Sequence, residues 1–123
     1  MRHQTINKKE IENMKKVIEL KNQIAEKERQ IKNGCIDYLK KTINEVGGTI
    51  CTEGEEDTLT VTYDGGRHPE YATNAFSEVS NIFLKDGKIY LDTEDCEEFS
   101  IDRINDDEVY DVAMFVYEML NKG

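Results

Sequence analysis

Cysteine, proline and long apolar runs are all scarce in this sequence, and each scarcity excludes something. The three cysteines, Cys35, Cys51 and Cys96, are too few for a disulfide framework, and without a CxxC spacing they offer no zinc knuckle. They read as free thiols of a reducing compartment. The single proline, Pro69, leaves no proline-rich linker, and no internal repeat or low-complexity tract divides the chain. The most apolar run, Val112 to Tyr117, falls far short of the ~20 residues a membrane helix needs. The opening MRHQTINKKE holds no apolar h-region, so no secretory signal is expected and the reading is cytoplasmic.

The 123 residues suffice for one domain, 1–123, with one modest core. The charged fraction, 34%, exceeds the roughly 25% of average soluble domains. The 37% of hydrophobic residues falls in periodic patterns that argue against disorder. Charge is unevenly spread. Residues 1–46 carry 11 basic and 7 acidic side chains, a net of +4, whereas residues 47–123 carry 5 and 19, a net of −14.

Residues 8–46 read as one long amphipathic helix. Asn7 and Glu10 form a capping-box pattern, with Ile6 and Ile11 at the staple positions. Gly47-Gly48 marks the stop. Ile11, Met14, Val17, Ile18, Leu20, Ile24, Ala25, Ile31, Cys35, Ile36, Leu39, Ile43 and Val46 share one half of the helical wheel. The stripe stays in phase across Asn33-Gly34, which favours a continuous helix over a break there. Glu12–Lys16 and Glu28–Lys32 are i,i+4 pairs in the favourable orientation.

Residues 49–104 change to period two and predict about five antiparallel strands. Leu59, Val61 and Tyr63 alternate with threonines. In NIFLKDGKIYLD, Asp86-Gly87 is a two-residue hairpin turn. It sets Leu84 against Ile89, Ile82 against Leu91, and Phe83 against Tyr90 on the opposite face. Ile50 belongs to a short strand before these, and Phe99 and Ile101 to one after. Residues 106–121 read as a second helix, with Asn105 and Glu108 as capping box and Ile104 and Val109 as staple. Its inner face is Val109, Val112, Ala113, Val116, Met119 and Leu120. The expected class is α+β: a long N-terminal helix, a five-stranded sheet and a C-terminal helix packed on one sheet face.

Length has a consequence. A 39-residue helix from Lys8 to Val46 extends ~58 Å, against ~35 Å for a compact chain of this size and ~20 Å for a strand of average length. Val17, Leu20, Ile24 and Ile31 then lie beyond anything the chain itself provides to cover them. Self-association through this arm is the expectation, as a helical pair or a swapped bundle. A helix bent at Asn33-Gly34 onto its own chain is the alternative.

Three constellations carry chemistry-bearing side chains. Arg67, His68 and Glu70 surround the end of TYDGGRHPEY, where the glycine pair offers N–H groups to an anion and His68 a general base. The spacing matches neither a P-loop nor a dinucleotide fingerprint, so a solvated turn is the plainer reading. The run from Asp92 through Glu94, Asp95, Glu97 and Glu98 to Glu108 lacks the glycine of a calcium loop and reads as an acidic face. Lys8, Lys9, Lys15 and Lys16 are basic, but interspersed acids and missing aromatic platforms argue against direct nucleic-acid binding. Cys96 sits among carboxylates that disfavour its thiolate, and no Ser-His-Asp arrangement is recognisable.

His68-Pro69-Glu70-Tyr71, Asn74-Ala75-Phe76, Leu91-Asp92-Thr93-Glu94-Asp95 and Ile101-Asp102-Arg103-Ile104 resemble a recurring segment of small proteins from Bacteroides-type gut bacteria. The resemblance covers about a third of the chain. It implies a bacterial source and a single compact unit, and attaches no activity, cofactor or catalytic residue. The reading leans away from an enzyme, with no cofactor or metal expected. It is an acidic interaction protein that self-associates and docks a basic protein partner, with Phe83, Tyr90, Asp92, Glu94 and Asp95 as the docking residues. A nucleic-acid-mimicking inhibitor of a DNA-binding protein is one alternative. An anionic-ligand or catalytic site around Arg67, His68 and Glu70 is the other.

Overall fold

The computed structural model describes residues 7–63, 75–94 and 98–122. Its elements are α1 (Lys8–Glu45), β1 (Thr49–Cys51), β2 (Thr60–Tyr63), β3 (Ala75–Lys85), β4 (Lys88–Thr93), β5 (Glu98–Ser100), a 3-10 turn (Ile101–Arg103) and α2 (Asp106–Leu120). The fold is α+β, as the change of period predicts. The chain divides into two compact units, Met1–Ile31 and Lys32–Gly123. Among the described residues no helix is long and apolar enough to cross a membrane.

In the first unit α1 begins at Asn7, whose Oδ1 accepts from the Lys9 N–H at 2.8 Å and satisfies one of the unpaired amides of the first turn. The helix runs uninterrupted through Asn33-Gly34. It stops where the sequence places the glycines. Gly47 and Gly48 take φ of 102° and 104°, and the Gly48 N–H returns to the Ile43 carbonyl at 2.8 Å. That bond closes a C-terminal cap that favours residues without a Cβ.

In the second unit the strands form one antiparallel sheet, ordered β1-β3-β4-β5, with β2 also paired to β3. Asp86 and Gly87 both have positive φ, 52° and 76°, the geometry of a two-residue hairpin whose twist matches its strands. The register follows: Leu84 faces Ile89, Phe83 faces Tyr90 and Ile82 faces Leu91. Ile50 joins Ile82 from β1, and Phe99 joins Leu91 from β5. This row is buried together with Leu39 and Ile43 of α1 and Val109, Val112, Ala113 and Val116 of α2.

The register shifts between Val79 and Asn81. Before this bulge the buried residues are Ser77 and Val79; after it the buried one is Ile82. The extra residue switches which parity of position faces the core. Hydrogen bonds hold it: the Thr52 hydroxyl donates to the Val79 carbonyl at 2.8 Å, the Thr52 N–H to the Ser80 carbonyl at 2.9 Å, and the Ser80 hydroxyl to the Asp92 carbonyl at 3.1 Å. β1 and β2 are therefore successive pieces along β3, parted where the bulge lies.

Several local expectations are corrected. Asn105 makes no side-chain cap bond. Glu108 instead accepts from the Thr62 N–H of β2 at 2.6 Å, because that amide would otherwise lack a partner at a part-buried place. Lys32 pairs with Asp106 at 2.9 Å rather than with Glu28, since a carboxylate in the first turn of α2 lies within its reach. Ile101 enters the 3-10 turn and is not part of β5. Val46 and Leu120 are each 45% exposed, because one lies past the end of α1 and the other in the last turn of α2.

Glu108→Ala leaves the Thr62 amide unpaired and is expected to cost about 1–3 kcal/mol of unfolding free energy. Glu108→Gln keeps an acceptor and is expected to cost less. Urea denaturation of the three proteins checks both, and equal stability of all three would contradict the assigned bond.

Candidate functional site

The sheet has one face on the core and one face away from it, and alternation decides which side chains the second face carries. Two cross-strand rows lie there. Thr49, Phe83, Tyr90 and Ser100 form one; Cys51, Asn81, Asp92 and Glu98 form the other. Phe83 and Tyr90 stack with ring centroids 6.0 Å apart, both half-buried. Lys85 crosses the Tyr90 ring at 5.5 Å and reaches Glu98 at 3.0 Å. The carboxylate raises the Lys85 pKa above its ordinary value, chiefly by accepting that hydrogen bond. Three of the expected docking residues, Phe83, Tyr90 and Asp92, are thus brought together on one face.

Glu94 goes elsewhere. It follows β4, its N–H donates to the Glu78 carbonyl at 3.0 Å, and it lines a cleft of about 130 Å³ beside the bulge with Glu53, Glu55 and Glu78. Glu55 is tied to Lys122 at 3.3 Å. Asp92 and Glu98 therefore lie on the outer sheet face, and Glu53, Glu55, Glu78 and Glu94 at the bulge cleft. Among the described residues no group of three His, Cys, Asp or Glu side chains is placed to hold a metal ion. Asp95, Cys96, Arg67, His68 and Glu70 lie outside the described residues.

The four residues of α1 expected to self-associate are all more than half exposed: Val17 51%, Leu20 58%, Ile24 56% and Ile31 54%. Ile11, Met14 and Ile18 continue the row. On the same stretch Glu26 accepts from Arg29 and Gln30, and the Arg29 hydrogen bond holds its carboxyl below the usual range.

Sequence reading missed the Lys85–Glu98 pair across Tyr90. The hairpin gives the β3–β4 register, but the pair also needs the β4–β5 register, for which no turn residue signals. It also missed the stack of Tyr63 on Phe99, 4.2 Å between centroids, with Arg103 5.6 Å from each ring. The nearest signal was the apolar alternation that ends on Tyr63 and the one that begins at Phe99. Comparison with protein-family models, curated proteins and solved structures finds no match.

Burial raises the Cys35 thiol pKa above its ordinary value, so less of it is thiolate at a given pH. Cys51 is exposed. Iodoacetamide at neutral pH, read by peptide mass mapping, is expected to label Cys51 first. Cys35 should catch up only as the pH is raised, and equal neutral rates would contradict its packing.

Proposed function

We propose that this chain is a non-catalytic interaction protein that self-associates through α1 and docks a basic protein partner on its acidic part. The observation that carries the first half is the exposed row Val17, Leu20, Ile24 and Ile31. Fully burying one such side chain gains about 1.5–3 kcal/mol. Half-burial of four on each of two copies therefore gains about 6–12 kcal/mol. Association costs about 4–15 kcal/mol in lost freedom. The two are of one size, so the association is weak and responds to concentration.

The second half is supported by the net charge of −14 over residues 47–123 and by the Phe83–Tyr90 stack beside Asp92. Dense carboxylates steer a cationic partner, and a preformed aromatic pair provides an anchor at small entropic cost.

Sedimentation velocity tests the association. A shift from 14.2 kDa towards twice that mass is expected across tens of micromolar protein. Ile24→Asp with Ile31→Asp should hold the chain at the smaller mass. A parent chain that stays at 14.2 kDa throughout would reject the reading. For the docking half, a lysine-rich peptide is expected to bind at low salt and to weaken as screening rises. Binding indifferent to salt would count against it.

A further inference from the structure

We infer that two copies of α1 pair antiparallel, with Lys21 of each chain against Glu28 of the other; this rests on the self-association proposed above. The charges within the apolar row set the orientation. Residues three and four apart are neighbours on a helix surface. The neighbours of Lys21 are Val17, Ile18, Ile24 and Ala25, all apolar. Those of Glu28 are Ile24, Ala25, Ile31 and Lys32, and Lys32 is committed to Asp106. Both Lys21 and Glu28 are exposed, and neither has an ion pair among the described residues. Seven residues separate them, about 10 Å along the axis, too far to meet on one helix.

A partner that covers this row takes both charges out of water, which is costly unless each meets its opposite. A parallel pair in register sets Lys21 on Lys21 and Glu28 on Glu28. A parallel pair staggered by seven residues makes only one opposite contact and leaves an unclosed, head-to-tail surface. An antiparallel pair with its two-fold axis beside Ile24 and Ala25 makes the Lys21–Glu28 contact twice and is closed. The same register sets Ile18 of one copy level with Ile31 of the other.

The test is charge reversal followed by sedimentation equilibrium on the full chain. Both positions are exposed helix surface, so the variants keep the fold. Lys21→Glu creates two like-charge contacts in the antiparallel pair and is expected to weaken the dimer by about tenfold or more. Adding Glu28→Lys restores both opposite contacts and is expected to return the affinity to within about threefold of the parent. In a parallel pair the single reversal only replaces one like-charge contact by another, so an unchanged dimer would overturn the orientation while self-association stands. Weakening by the single variant without recovery in the double would overturn it too. A monomeric parent chain would remove the self-association itself.

Discussion

The register of β3 against β4 is the constraint on which the rest of the sheet depends. Asp86 and Gly87 fix it by accepting positive φ at both turn positions. A slip by one residue would exchange every side chain between the two faces. Ile82, Leu91 and Ile89 would leave the core, and Phe83, Tyr90 and Asp92 would enter it, the last carrying a charge that no buried basic side chain among the described residues would meet. The same two residues therefore decide both what the helices pack on and what the outer face presents.

That register holds only from the bulge onward. Ser77 and Val79 are buried at odd positions and Ile82 at an even one, so a continuous β3 could not serve both halves of the core without an inserted residue. The bonds from Thr52 to Val79 and Ser80 satisfy the backbone that the insertion disturbs. Among the described residues no buried side-chain nitrogen or oxygen lacks a hydrogen-bond partner.

The sequence was legible wherever a local pattern was undisturbed. The α1 stop at Gly47-Gly48, the hairpin pairs and the inner face of α2 from Val109 to Val116 all come from neighbouring residues alone. The start of β3 at Ala75 was not legible, because the bulge breaks the alternation and buries Ser77, which reads as polar surface. Glu108 was misassigned for a related reason. The capping-box pattern describes what a helix does with its own amides, whereas here an amide on β2 took the carboxylate. Lys32 followed the same course, drawn from an intrahelical partner to Asp106 by an encounter that only the fold creates. Of the candidate site residues, Val17, Leu20, Ile24 and Ile31 were legible from spacing and length, and Phe83 with Tyr90 from the turn. The place of Glu94 beside the bulge was not legible, because it lies past the end of β4, where alternation no longer assigns a face.

The excursion between β1 and β2 has its own use. Thr52 and Leu59 are bonded to the adjacent residues Ser80 and Val79, so residues 53–58 leave and rejoin the sheet at nearly one point. Both ends are clamped whatever hangs between them. Doubling such a segment adds only about 0.6 kcal/mol of closure entropy, which makes this stretch the natural socket for a grafted epitope or reporter peptide.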